Sequence, residues 1–504
     1  MTRRIGWLAH LAWLALVLPQ AGAAVVFTVT KTTDSADGAC DSDCSLREAI
    51  LAANQVEDST NRIDLAAGTY RLSIPRDGSR FGNAIGTGTD GNLAVTRTLT
   101  ITGAGKDLTT IDARPSPEDP GVDRVLGIAN TGNLTISGVT ITGGQTVAPG
   151  QGGGIVVLGG ILALSDARVI GNTALGGGGG IAVGGGANPP ASATVTRCEI
   201  AENVSGSPAL GAQGGGLLNI QATLTVEDST VRDNTALLST GGGIMNIDNE
   251  NRPNPPALLT VRRTTITGNL AGDPNRTSLF EGAGGGIANS GGLLRLTNST
   301  VTGNEAVPSF AEGFGPIAGT GRGGGVDHEL LLGDDPTDGT FIVSSTIAWN
   351  TALTGSQLYG KEEVNPAVLA NTLIAGGDAT PNCASPSGEH GLESVGGGNL
   401  SDDSSPCGLG QPTDQVDVAD PGLASALAQN GGPTETLALL EGSPAVGAAF
   451  EPSCPMVDQR GFTRRTPCDI GAYETVPEPG AQAAAFVAAG ALALAARRAR
   501  SRRR

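Results

Sequence analysis

The chain has 504 residues, of which 78 are glycine and only 3% are aromatic, and its formal net charge is −18. So few rings exclude a core built from large side chains, and the glycines follow no strict Gly-X-Y period, which excludes collagen. An acidic chain of this kind is a poor partner for nucleic acid.

Residues 1–23 join Arg3 and Arg4 to an apolar run from Ile5 to Leu18 and to the small residues Ala21-Gly22-Ala23. This is the pattern of a secretory signal, cleaved after Ala23 by signal peptidase. Without the two leader arginines and the net +5 of the C-terminal tail, the exported body carries about −25. Divalent cations or basic surfaces are the matching partners. Export makes disulfides the first reading of the seven cysteines. Three local pairs are expected, Cys40 with Cys44, Cys383 with Cys407 and Cys454 with Cys468, leaving Cys198 buried in a strand. With three histidines, one of them in the leader, and no paired Cys/His spacing, zinc chemistry has little to work with.

Residues 24–133 are read as an N-terminal cap and first coils. Within them CSLREAILAAN, residues 44–54, predicts a short helix: Ser45 and Glu48 form a capping-box pattern, and Leu46, Ala49, Ile50 and Ala53 share one face. Arg47 and Glu48 are expected in cap and surface pairing. The strand-like IDLAAGTYRLSI, residues 63–74, is expected to start the first coil beneath that helix.

Residues 134–376 repeat. LALSDARVIGN (162–172), ATVTRCEIAEN (193–203), LTVEDSTVRDN (224–234), LTVRRTTITGN (259–269), LRLTNSTVTGN (294–304) and FIVSSTIAWN (341–350) align, after a weaker copy at 134–144. In each of the six, an aliphatic residue stands eight positions before an asparagine: Leu164, Val195, Val226, Val261, Leu296 and Ile342 before Asn172, Asn203, Asn234, Asn269, Asn304 and Asn350. Between units lies a glycine triplet followed by an aliphatic residue, as in Gly178-Gly179-Gly180-Ile181 and Gly241-Gly242-Gly243-Ile244, with gaps of variable length on either side. Constant spacing marks two strands joined by a fixed turn, and variable spacing marks corners that accept insertions. Each unit then supplies three short strands. Coils stacked ~4.8 Å apart put like residues above like, giving aliphatic ladders inside and an asparagine ladder at the bend. The expected fold is all-β, a right-handed parallel β-helix of the pectate-lyase-like solenoid type, since parallel crossovers prefer that hand. An open coil stack exposes unpaired strand edges at both ends, so the predicted helix is read as a plug.

Residues 377–475 are read as last coils and a C-terminal cap, and 476–504 as a sorting tail. In the tail, Pro477-Glu478-Pro479 precede an apolar stretch from Ala483 to Ala496 and six arginines among the last eight residues. Gly480 to Ala496 would span roughly 25 Å as a helix, slightly short of a ~30 Å bilayer core. The arginines place the tail end in the cytoplasm and the body outside, in agreement with the leader.

This tail resembles the PEP-CTERM sorting signal of Gram-negative bacteria. The resemblance implies recognition by an exosortase, transient inner-membrane anchoring, and delivery to the outer surface or extracellular matrix. CSLREA (44–49) resembles the motif of that name at the start of secreted proteins with β-helical bodies. Ser443-Pro444-Ala445, Asp458-Gln459-Arg460-Gly461 and Cys468-Asp469-Ile470-Gly471-Ala472-Tyr473-Glu474 resemble the closing motif of the choice-of-anchor (Q-type) family, with Gly447 where that family has an acidic residue. Together the resemblances span nearly the whole chain, and they supply no catalytic residues.

Fold alone does not license activity. Polysaccharide hydrolysis or elimination needs carboxylates or a base facing one sugar bond. Asp327-His328-Glu329 are the catalytic candidates and Asp334, Asp335 and Asp338 the calcium candidates, because all six lie in a long insertion between repeat anchors. Asp402 and Asp403 read as turn chemistry, and Asp458, Arg460, Asp469 and Glu474 as charges paired within the cap. No cofactor other than calcium is called for. The expected role is that of a non-enzymatic structural, adhesive or polysaccharide-associated surface protein. The alternative is a lyase, hydrolase or epimerase acting on an acidic polysaccharide.

Overall fold

A computed structural model describes residues 25–475, apart from 57–60, 79–82, 130, 185–189, 249–255, 312–314, 330–338, 362–364, 377–379 and 387–390. The leader, the sorting tail with Pro477, Glu478 and Pro479, and the calcium candidates Asp334, Asp335 and Asp338 all lie outside the described residues.

The described chain winds into stacked coils whose strands form three long parallel sheets of twelve, eleven and ten strands. A typical coil runs from Thr223–Glu227 on the twelve-stranded sheet to Thr230–Arg232 on the eleven-stranded sheet, and then through Thr235–Leu237. It continues to Ile244–Ile247 on the ten-stranded sheet. Register is strict. Leu164, Val195, Val226 and Val261 stand in line, as do Ile181, Leu217, Ile244 and Ile287. These aliphatic columns form one continuous buried core. The three-strand unit expected from sequence is incomplete: after the asparagine turn six coils add a short fourth strand, such as Thr173–Ala174, forming a six-stranded sheet.

The asparagine and the glycine triplet turn out to be one device. Each asparagine amide donates to the next asparagine's Oδ1, from Asn172 to Asn203 at 3.0 Å through to Asn304 and Asn350 at 2.8 Å. The same Oδ1 also accepts the preceding asparagine's backbone N–H. The first glycine of each triplet takes a positive φ, as Gly178 (62°) and Gly241 (70°) do. The third makes room for the ladder: a Cβ on Gly216 would lie 2.9 Å from the Asn234 amide. Where Gln357 replaces that third glycine, its side chain ends the ladder, accepting the Asn350 amide at 2.8 Å.

At the N-terminal end the helix Leu46–Asn54 forms with its capping box complete. It lies over strand Leu93–Val95, the first strand of the ten-stranded sheet, and Asn54 bonds that strand's free edge, donating to Ala94 O and accepting from Thr96 N–H. Two expectations are corrected here. The first coil begins before the helix, since Val26–Thr28 already pairs in parallel with Asn61–Leu65. Arg47 and Glu48 are buried rather than at the surface. Arg47 forks onto Asp34 at 2.7 and 2.9 Å and donates to the carbonyls of Gly88 and Gly91. Burial alone would raise the Glu48 carboxyl, but hydrogen bonds from Ser45, Ser35 and the Asp37 N–H bring it down to about 2.

At the other end, Cys383–Cys407 ties residues after the last coil to the ten-stranded sheet, and Gln415 pairs with Leu400 across the end of the stack. The chain then turns back. Residues 423–475 run along the outside of the eleven-stranded sheet, touching Leu373, Thr346, Thr300 and Thr265 in four successive coils. Outward positions of that sheet change to suit. Three uncovered strands each carry one charged outward residue (Arg168, Glu199, Arg232), whereas beneath this strap the outward residues are threonine, alanine or leucine (Thr265, Thr300, Thr346, Ala348, Leu373). The strap is locked by Asp458 and Arg460 at 2.6 Å and by Glu474 and Arg464 at 3.3 Å, all buried. All three expected disulfides form. Cys198 is buried as expected but sits in the turn between Ser192–Thr196 and Glu199–Ala201, not in a strand.

Candidate functional site

The sequence candidates Asp327, His328 and Glu329 fall on strand Val326–Glu329 of the ten-stranded sheet. Variable insertions flank this sheet on both sides, which makes its outer face the natural place for a site. Val326 points into the core, so Asp327 points out. In register, Asp327 extends an outer apolar column of Val156, Ala182, Leu218, Met245 and Ala288, and is followed by Tyr359.

Asp327 is 3% exposed, and its Oδ1 has no hydrogen-bond partner. The nearest cation is Arg322, with Nε 4.0 Å away and also without a hydrogen bond. Arg322 is shared: it reaches Glu329 at 3.2 Å and Glu281 at 3.5 Å, and lies over the Tyr359 ring at 4.9 Å. Lys361 takes the other oxygen of Glu329. Burial pushes the Asp327 carboxyl up to about 7 against the opposing pull of Arg322. A carboxyl that exchanges its proton near neutrality beside a fixed cation has the character of a general acid.

His328 does not join it. It takes the inward position, in register with Asn289, and is fully buried. Asn219, Asn246 and Asn289 form a second amide ladder, with 2.7 Å between successive residues, that ends on Thr340. Thr340 Oγ1 lies 3.0 Å from His328 Nδ1, and His328 Nε2 lies 2.9 Å from the carbonyl of Asn365. Burial lowers the imidazole pKa, so the ring serves as a neutral ladder rung. The expected catalytic trio is therefore split, with its carboxylates outside the coil and its imidazole inside. Among the described residues no group of three or more His, Cys, Asp or Glu is placed to hold a metal. Asp402 and Asp403 accept backbone N–H groups of Gly376, Asn382 and Ser405, as turn residues should. The sequence reading missed Arg322, although it directly precedes the triplet Gly323-Gly324-Gly325, and missed Tyr359, which only register brings beside Asp327.

A second place was not foreseen at all. Where the strap stops, the uncovered part of the eleven-stranded sheet forms the floor of a cavity of about 400 Å³. Its rim follows a corner at which non-glycine residues hold positive φ: Asp166 (50°), Arg197 (53°), Asp228 (51°) and Arg263 (47°). Stacked corners would set like charges side by side, and the alternation prevents it. Arg197 forks onto Asp166 at 2.6 and 2.8 Å, and Arg263 onto Asp228 at 2.7 and 2.9 Å. On the floor Arg232 pairs with Glu199 at 2.6 Å. The end wall comes from the strap, with Gln429, Thr434 and Glu435.

A family model described as a right-handed beta helix region matches residues 124–324. The fold is a right-handed parallel β-helix. No curated protein sequence matches the chain. Among solved structures, pectate lyase Pel9A is similar over 90% of this chain and 98% of its own, at 14% identity and a TM-score of 0.47. The A-module of the Azotobacter vinelandii mannuronan C-5 epimerase AlgE4 is similar over 73% and 86%, at 14% identity and a TM-score of 0.31. Pectin methylesterase PemA from Erwinia chrysanthemi is similar over 55% and 78%, at 11% identity and a TM-score of 0.29. At these identities the likeness is one of fold, and what the chain does rests on its own residues. No helix among the described residues is long and apolar enough to cross a membrane, and the candidate span Gly480–Ala496 lies outside them.

Proposed function

We propose that this chain is an exported, surface-attached β-helix of a Gram-negative bacterium, serving as a non-enzymatic, polysaccharide-associated structural component of the cell surface or matrix. One observation carries the reading: a strictly registered coil stack whose ends are both closed by the chain's own segments and whose flank is held by a buried, ion-paired strap. Such a rod is rigid and its covered edges resist adding strands from other chains, which suits a scaffold. The leader, the three disulfides and the PEP-CTERM-like tail support export, with signal peptidase and exosortase as the processing partners.

Incubating the purified body with acidic polysaccharides, with and without calcium, is the test. Co-sedimentation without chain shortening is expected. A second reading, a lyase, hydrolase or epimerase, is favoured by the raised pKa of Asp327 beside Arg322. Shortened chains or unsaturated ends that disappear in Asp327→Asn would establish that reading and overturn the first.

A further inference from the structure

The cavity at the strap tip suits a ligand of definite chemistry. Its two guanidinium groups are already neutralised by carboxylates, Arg197 by Asp166 and Arg232 by Glu199, both across neighbouring coils. Each pair sets donors and acceptors side by side at the ~4.8 Å spacing of the coils. Two further charged groups line the cavity, Lys106 and Glu435. The Lys106 ammonium makes no hydrogen bond or ion pair with a described residue, and neither does the Glu435 carboxylate, whose backbone carbonyl accepts from Thr265 Oγ1 at 2.6 Å. With the Lys106 charge acting on Asp166 through space and Glu435 of opposite sign, the cavity stays close to neutral.

An apolar ligand would strip water from these ion pairs without replacing its hydrogen bonds. An anionic ligand would have to compete with the carboxylates that hold the arginines. A ligand carrying closely spaced hydroxyls, each both donor and acceptor, meets every group without displacing any. The volume of about 400 Å³ falls within the ~300–1,000 Å³ typical of small-ligand sites. The strap already uses the same track: threonine hydroxyls of the sheet bond its carbonyl at Glu435 and the side chain of Gln459. The groove therefore continues this polar track into solvent, with Thr230 and Thr434 among its charged residues.

We infer that this groove binds a short stretch of neutral polysaccharide, with Lys106 and Glu435 as the two side chains that decide affinity. The inference rests on the polysaccharide-associated reading and gives it a site and a ligand class. Isothermal titration of the full exported body with neutral hexasaccharides (β-1,4-, β-1,3- and α-1,4-linked glucans and a galactan) and with an oligogalacturonate tests it. At least one neutral hexasaccharide should bind, at least 10-fold more weakly to Lys106→Met/Glu435→Gln and unchanged to Glu393→Gln, on the exposed side of the twelve-stranded sheet. Both variants should keep their far-ultraviolet circular dichroism and cooperative melting. Neutral binding that the double substitution leaves intact, or oligogalacturonate binding tighter than any neutral probe, overturns the groove while the wider reading stands. If no polysaccharide of either kind is retained by the intact body, both fall together.

Discussion

Asp327 and His328 are neighbours on one strand, and both are buried, but on opposite sides of it. Inside the coil the imidazole ends a column of amides in which each donates to the next, with Asn246 bonded to Asn289 and Thr340 bonded to the ring, and only Asn219 Oδ1 at the far end lacks a partner among the described residues. Outside, the Asp327 carboxyl has an oxygen without a hydrogen bond and a guanidinium too far to give it one. Buried polar groups that are satisfied fix register and lend stability, whereas one left unsatisfied lowers it. The inner region is thus explained by the fold, and the outer one is the place where the fold tolerates a loss.

The strap lock gives the largest test of the satisfied kind of burial. Arg460 pairs with Asp458 at 2.6 Å, lies over the Tyr473 ring at 3.7 Å and donates to the Glu474 carbonyl. Arg460→Ala leaves Asp458 charged and buried without its ion-pair partner, held only by the backbone N–H groups of residues 460, 462 and 474, and should destabilise by about 3–5 kcal/mol. Chemical denaturation measures it, and a loss below 1 kcal/mol would mean that the strap is held chiefly by its apolar contacts.

The opposite sign is expected at Asp327. Its folded pKa of about 7 lies above the ordinary 3.8. Between those values the native state holds a proton that the unfolded chain has lost, so this group lowers stability as pH rises across the window and no further above it. The difference of about three units sets a ceiling of about 4 kcal/mol. Asp327→Asn should therefore match the parent near pH 4, exceed it increasingly up to about pH 7 and level off by pH 8, followed by thermal midpoints at pH 4, 6 and 8. A variant less stable than the parent at pH 8 would show that the attraction of Arg322 outweighs burial.

The asparagine ladder should rank below both. Asn234→Ala removes the acceptor for the Asn203 N–H and amide, and the donor to Asn269 and the Ile200 carbonyl. With buried groups left unpaired, a loss of about 2–3 kcal/mol is expected. The same substitution at Asn246, in the second ladder, should cost a comparable amount. If it does not, the inner column that holds His328 contributes less than its geometry suggests.

How much of this was legible beforehand follows from spacing. The eight-residue interval before Asn172, Asn203 and Asn234 is fixed by one turn, so that ladder and the coil stack could be read from sequence. Asn219, Asn246 and Asn289 are separated by 27 and 43 residues, because insertions intervene, and no period reveals them. A signal was nonetheless available: each is the third residue after a glycine triplet, and His328 stands at that same offset after Gly325. The strap's return path was hidden because it depends on contacts such as Thr265 with Glu435, 170 residues apart. Only the change of outward residues from Arg168, Glu199 and Arg232 to Thr265, Thr300 and Leu373 marks its track.

The smallest effect is expected at Cys198, where inner and outer logic meet. Its turn position is occupied in later coils by Ser229, Thr264, Ser299 and Ser345. Each of these hydroxyls accepts the N–H of the preceding coil and donates to the carbonyl two residues back, as Ser229 does to Glu227 at 2.7 Å. The Cys198 thiol takes that same carbonyl place, 3.2 Å from Thr196 O. Cys198→Ser should therefore change stability by less than about 1 kcal/mol, since a hydroxyl supplies the same bonds. Burial pushes the thiol up to about 11, so almost no thiolate exists at neutral pH. Alkylation by iodoacetamide should proceed only as fast as the coil opens. Rapid labelling of the native protein would mean that this turn is far looser than the hydroxyl column on either side of it allows.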